Sequence, residues 1–298
     1  MSLLAAADVA AAAQLACLLE VSAPKPGNVS PGRHFPDARY EDFLASAAAI
    51  GAPLAGVTTR PLGATVRLAI DATSRWTRSN TNLGIVLLLT PLARAALTVP
   101  EGAGNRFRDA VRQLLGATTV DDSREVYAAI RRAAPGGLGR AESQDVADEP
   151  TLPLLDVMRL AAHRDGIARE YATAFEVTFE IGVPALDAAR RDGLSWDDAV
   201  VETFLTLLAA SPDTHIARRG GEAAAADVSR LARATLEAGG VRSDPGWRAI
   251  ERMDAALRDA RHTGSPGTTA DLTAAAVFVV LIRGGWSTRR LSAEADRS

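Results

Sequence analysis

The sequence predicts an all-α fold: one large helical bundle domain over residues 1–298, with about a dozen helices. Three observations carry this. Apolar residues recur at helical spacing along almost the whole chain, strand-like alternation is hard to find, and Pro/Gly turn signals cut the periodic stretches into helix-sized pieces. Helix-on-helix packing is the layer architecture that such a pattern supports.

The elements follow in order. Residues 3–20 are rich in Ala and Leu, with Leu4, Val9, Leu15, Leu18 and Leu19 spaced for one buried face. Helical stretches follow near 40–50, 62–78, 81–98, 105–116 and 121–134. The second half adds 153–164, 166–191, 195–210, 222–238, 244–261 and 268–284. Turn signals between them include Pro31-Gly32, Pro135-Gly136-Gly137, Gly220-Gly221, Gly239-Gly240 and Ser265-Pro266-Gly267. The segment 135–152 is polar, acidic and without periodicity, a stretch that could separate two lobes within the single domain. Two apolar runs are too short to cross a membrane: Pro91 and Arg94 interrupt Leu83–Leu97, and Arg283 closes Ala274–Ile282. Both read as central helices, apolar all round because other helices surround them.

Composition narrows the function classes. The chain of 298 residues carries 36 acidic and 33 basic side chains, a formal charge of −3. That balance lacks the basic stripe of a nucleic-acid binder, and 5% aromatic residues argue against base-stacking platforms. The one cysteine, Cys17, excludes an intramolecular disulfide framework, fits a reducing compartment and reads as core. The first residues lack a positive n-region, so a soluble cytoplasmic globular protein with no membrane partner is expected. The apolar helices are long enough to build a homodimer face. Lys25 is the sole lysine; every other basic residue is arginine, as GC-rich coding would give.

Four polar clusters interrupt the helical pattern. Glu20 ends an apolar helix ahead of Pro24-Lys25-Pro26-Gly27-Asn28, where two prolines stiffen the loop around the lysine. Glu20 sits at the unfavourable end of the helix dipole, which calls for Lys25 or a bound cation as partner. Ser79-Asn80-Thr81-Asn82-Leu83-Gly84 leads into the most apolar helix; a cap needs one such residue, and amides also hold sugars or Mg²⁺. Pro212-Asp213-Thr214-His215 with Arg218 and Arg219 joins a carboxylate to two guanidinium groups suited to phosphate. Gly264-Ser265-Pro266-Gly267-Thr268 precedes Asp271 at a helix start, where free backbone donors face an anion. No dinucleotide, P-loop, hydrolase-elbow or histidine metal pattern occurs, so any metal is expected to be Mg²⁺ on oxygen ligands.

Taken in order, these clusters resemble the triphosphoribosyl-dephospho-coenzyme A synthases. That family shows P-K-P-G, N-T-H-x-G, D-T-x-x-x-R-x-G and P-G-x-x-A-D-L. The counterparts here are Pro24–Gly27, Asn80–Gly84, Asp213-Thr214 with Arg218 and Gly220, and Pro266-Gly267 with Ala270–Leu272, a resemblance running over about 14–284. It implies an all-helical enzyme that joins ATP to 3′-dephospho-coenzyme A and expels adenine, with ATP as substrate and Mg²⁺ as cofactor. On that reading Lys25, Arg218 and Mg²⁺ hold the phosphates, while Glu20 and Asp213 are metal ligand or base. Asn80 and Asn82 orient ribose, Asp271 orders the last loop, and Asn28, Thr81 and Ser265 complete the substrate-binding set. The chain departs from the family at Asn82, in place of histidine, at Leu83, in place of a frequent lysine, and in the spacing of His34 and Asp37. Two alternatives therefore stand beside the main reading: ribosyl or phosphoribosyl transfer to a one-carbon carrier, and a helical binding protein without catalysis.

Overall fold

The computed structural model describes residues 4–100, 105–258 and 263–286. In chain order the helices are α1 (Ala6–Ser22), α2 (Tyr40–Ala49), α3 (Gly51–Ala55), α4 (Leu62–Thr73), α5 (Leu83–Ala96), α6 (Asn105–Gly116), α7 (Val120–Ala133) and α8 (Leu154–Ala161). They continue as α9 (Gly166–Thr173), α10 (Val183–Arg191), α11 (Trp196–Ala210), α12 (Thr214–Gly220), α13 (Glu222–Glu237), α14 (Asp244–Leu257) and α15 (Gly267–Ile282). Among the described residues there is no strand, only two isolated bridges at Ser30–Arg33 and Phe35–Ala38. The all-α expectation holds. Leu3 of the first expected helix and 259–261 of the 244–261 stretch lie outside the described residues.

The two apolar runs do form the centre. α5 buries every residue except Gly84 and Arg94, and α15 every residue except Gly267, Asp271 and Leu281. Small residues let α1 lie close to α15: Ala10, Ala13, Ala16 and Cys17 on one helix, Ala274, Ala275 and Ala276 on the other, all buried. α11 and α10 close the far side of α15, and α4 with α7 packs outside α5. Pro91 stands inside α5, where it has no N–H to give to the Leu87 carbonyl one turn back. The Tyr171 hydroxyl of α9 donates to that carbonyl at 2.7 Å, so the central helix continues without an orphaned acceptor. No helix among the described residues is long and apolar enough to cross a membrane.

Three expectations change. The stretch 166–191 is not one helix: Ala174 and Phe175 adopt positive φ (51° and 60°), and a π-turn at Thr178–Gly182 precedes α10. The buried Glu170 carboxylate accepts from the Val177 and Thr178 amides at 2.9 Å each and from the Thr178 hydroxyl, so a side chain restarts the ladder that periodicity carried straight through. The third polar cluster contains a short helix, α12, because Asp213 caps it. The aperiodic segment 135–152 is irregular, as expected, but it is tied to α7. Tyr127 donates to the Gln144 carbonyl, Arg131 to that of Val146, and Asp145 accepts from the Ala141 and Ala147 amides.

Candidate active site

Helix ends and the faces of α7 and α8 together build a large cavity. It has a volume of about 1190 Å³ and is enclosed by the end of α1, the loops before α2 and α5, the α7–α8 loop, the α8–α9 corner, α12 and the start of α15. Of the ten residues singled out from sequence, Glu20, Asn28, Asn80, Thr81, Asn82, Arg218, Ser265 and Asp271 line it. Segments from four distant parts of the chain thus meet at one place. Lys25 and Asp213 do not line it.

Glu20 and Asp271 form an acidic floor. Glu20 is 4% exposed at the last turn of α1, with burial raising its carboxyl above the usual range and Lys25 opposing that rise. Asp271 is the sole charge in the sequence of α15 and accepts no hydrogen bond among the described residues. Burial holds its carboxyl well above the ordinary range, and the negative charges of Glu20 and Asp213 add to the effect. A Cβ on Gly84 would come within 2.0 Å of Asp271 Oδ2, so this glycine is what lets the start of α5 close onto the carboxylate. Asp271 faces the cavity instead of merely ordering the last loop.

The amide-rich loop is half structural. Asn80 Oδ1 accepts from the Leu83 amide at 3.1 Å and so caps the start of α5. Thr81 pairs with Ser46 at 2.5 Å, and Asn82 donates to Thr73 Oγ1 at 3.0 Å. These bonds fix three side chains that still present part of their surface to the cavity. In the neighbouring loop Asp254 of α14 accepts from the Gly27 amide and pairs with Arg33 and Arg258. Gly27 has φ +73°, a conformation that strains any residue with a Cβ, and a Cβ there would stand 2.9 Å from Leu257.

Two assignments need correcting. Lys25, expected on substrate phosphate, is fully buried and donates to Glu20 Oε1 at 3.0 Å, to the Glu20 carbonyl and to Ala23 O at 3.2 Å. All three ammonium protons have protein acceptors, so none remains for a ligand. Asp213, expected as metal ligand or base, is 2% exposed and accepts four hydrogen bonds: His215 and Ile216 amides on Oδ1, Thr269 amide and hydroxyl on Oδ2, at 2.7–3.0 Å. It caps α12 and ties that helix to α15. Burial still raises its carboxyl, with the four bonds working against the rise. Among the described residues no group of three or more His, Cys, Asp or Glu is gathered for a metal.

The rim carries both signs: Asp37, Glu142, Asp145 and Asp165 stand among its arginines. Arg78, Arg140, Arg164, Arg218 and Arg219 line the cavity, together with His163 and His215. Arg218 pairs with Asp165, which also caps α9, while its buried Nε has no partner among the described residues. Arg78, Arg140 and Arg164 take part in no ion pair among the described residues. Burial, then Arg218 and Arg219, push the His215 imidazole down to about 4, so it is neutral near pH 7. Sequence reading missed Arg78, Arg140, Arg164 and Asp165. In a chain whose basic residues are nearly all arginine, composition does not mark the ones that converge.

The model of the CitG family, ATP:dephospho-CoA triphosphoribosyl transferase, matches residues 6–290, which includes every wall of this cavity. The chain belongs to the CitG family. A probable 2-(5″-triphosphoribosyl)-3′-dephosphocoenzyme-A synthase of Stutzerimonas stutzeri is 35% identical over 113 residues, 38% of this chain and 38% of that protein. The synthase of that name from Klebsiella pneumoniae is 29% identical over 119 residues, 40% of this chain and 42% of its own length. The matched segments thus span about two fifths of these curated relatives. A crystal structure from Archaeoglobus fulgidus, named as a candidate triphosphoribosyl-dephospho-CoA synthase, superposes with a TM-score of 0.63 at 27% identity, covering 81% of this chain and 99% of that one. The guanidinium groups in this mixed rim have the donor geometry that phosphate oxygens accept.

Proposed function

We propose that this CitG-family chain transfers the triphosphoribosyl group of ATP to a ribose hydroxyl of 3′-dephospho-coenzyme A and releases adenine. The observation that carries the reading is the convergence of eight motif residues on one cavity of about 1190 Å³. Ligand pockets run to about 300–1,000 Å³, so this one has room for two nucleotide-sized molecules. Arg78, Arg140 and Arg164, in no ion pair among the described residues, offer guanidinium donors to polyphosphate oxygens.

In the reaction the acceptor hydroxyl attacks the anomeric carbon of ATP, a C–O bond forms, the C–N bond to adenine breaks, and the triphosphate stays on the transferred sugar. Glu20 and Asp271 serve as the carboxyl pair. One takes the proton of the hydroxyl, the other gives a proton to departing adenine, and both stabilise positive charge on the ribosyl carbon. Asn80 and Asn82 orient ribose from the fixed loop. The donor set that fits Mg²⁺ here is the triphosphate oxygens and water, because Glu20 and Asp271 are committed to proton transfer. When bound, Mg²⁺ would neutralise triphosphate charge. Asp213 is excluded as a ligand by its four hydrogen bonds.

The reading implies a cytoplasmic enzyme acting on small molecules, without nucleic acid, as a monomer or a homodimer. Asn82, tied to Thr73 where the family carries histidine, favours one variation: the same transfer to another acceptor, such as a one-carbon carrier. Chromatography of adenine released from Mg-ATP, with and without dephospho-coenzyme A, tests both. Adenine formed only with that acceptor is the expected result. Tight Mg-ATP binding without adenine redirects the search to a different acceptor, and absence of both overturns the enzyme reading.

A further inference from the structure

Lys25 combines two features that do not occur together elsewhere in the chain. It is the sole lysine of the sequence, and its ammonium is 0% exposed. A buried ammonium is tolerated only where its charge and its protons are both matched. Here the match is complete and local: Glu20 Oε1, the Glu20 carbonyl and the Ala23 carbonyl, all at the end of α1. Pro24 and Pro26 hold the backbone on either side, the Lys25 amide donates to the Ala23 carbonyl at 2.8 Å, and the Lys25 carbonyl accepts from the Asn28 amide at 3.2 Å. A planar guanidinium with five donors could not find acceptors in a slot built for three. This explains why lysine persists at this position in a chain that otherwise uses arginine.

The consequence falls on Glu20. With Oε1 bound to Lys25 and the carboxylate on the cavity wall, Oε2 is left without a protein donor among the described residues. Cys17 and Asp271 are its other close titratable neighbours, and neither is hydrogen-bonded to it among the described residues. Among the described residues, Lys25 is therefore the side chain that fixes the orientation of this carboxylate.

We propose that Lys25 is a positioning residue that never touches substrate and acts through Glu20, turning one carboxylate oxygen toward the reacting sugar. This rests on the triphosphoribosyl-transfer reading for its kinetic consequences, but its structural half stands apart from that reading.

The test is a double-mutant cycle on the full chain with Lys25→Met, Glu20→Gln and the combined variant. It follows kcat and KM for adenine release, the Kd of Mg-ATP by calorimetry, and Tm. Lys25→Met is expected to lower kcat about 100-fold or more while the Mg-ATP Kd stays within about threefold of wild type. On the Glu20→Gln background the same change is expected to cost less than about threefold in kcat, because the group through which Lys25 acts is already altered. A tenfold rise in the Mg-ATP Kd, or an equal loss of kcat on both backgrounds, would overturn the proposal. Should Lys25→Met fold poorly, the combined variant still decides: it is expected to regain most of the lost Tm by removing the uncompensated carboxylate, and no regain overturns the pairing. If wild type binds Mg-ATP but turns over no acceptor, the transfer reading fails, while the Kd and Tm comparisons continue to judge Lys25.

Discussion

Asp213 and Asp271 are both carboxylates in short motifs at helix starts, and burial raises both above the ordinary range, yet they belong to different regions. The buttress around Asp213 is saturated: four donors fill its two oxygens, and it lies off the cavity. The floor around Asp271 is unsaturated, with no donor to the carboxylate among the described residues, a glycine cleared away in front of it and a second carboxylate nearby. A raised carboxyl alone does not separate a structural acid from a reactive one. Hydrogen-bond satisfaction does, because only the unsatisfied group retains capacity for a ligand or a proton transfer.

The sharpest way to break that contrast is to neutralise both acids in turn. Asp271→Asn is expected to lower the rate of adenine release by about 10²–10⁴-fold, the range of a lost acid or base, with Tm unchanged or raised because a repelled charge is removed. Asp213→Ala is expected to do the reverse, costing about 2–4 kcal/mol in denaturant unfolding while leaving kcat within about threefold at a temperature where the variant is folded. If Asp213→Ala abolishes turnover in a folded protein, the division between buttress and floor is wrong.

Much of this organisation is legible in the sequence and some is not. The helices, their all-α packing and the two central apolar segments follow from periodicity, since a helix with no polar face must be surrounded. The four clusters also stand out, because polar residues between apolar helices are few. What the pattern cannot show is the direction of each side chain. Lys25 and Asp213 read as ligands until their acceptors and donors are seen, and Asp271 reads as a cap until its carboxylate is found without partners.

Two smaller effects sharpen the contrast between rim and floor. Arg164→Ala is expected to raise KM for a polyphosphate substrate about three- to tenfold with kcat nearly constant, an effect that weakens at high ionic strength because the side chain is exposed. Steady-state kinetics at two salt concentrations would show it; a fall in kcat instead would place Arg164 among the groups that stabilise the transition state. His215 should give the mildest signal. Its folded value of about 4 lies below the ordinary 6.5, so between those pH values the unfolded chain binds the additional proton. Its contribution to stability is therefore complete above about pH 6.5 and falls as pH drops toward 4. Compared with wild type, His215→Gln should lose less Tm over that interval. An identical pH dependence in the two proteins would mean that His215 is not held neutral.

By itself the sequence determined the class of fold and the inventory of the site: helical spacing is a local property of the chain, and the motifs are short enough to be local too. Tertiary structure decided which members of the inventory face one another. It brought the end of α1, the start of α5, α12 and the start of α15 to a single cavity, turned Lys25 inward onto Glu20, saturated Asp213 and left Asp271 open. Those outcomes depend on partners far apart in the chain, such as Asp213 with Thr269 and Asp271 with Gly84, and no local pattern encodes a contact whose second member arrives by packing.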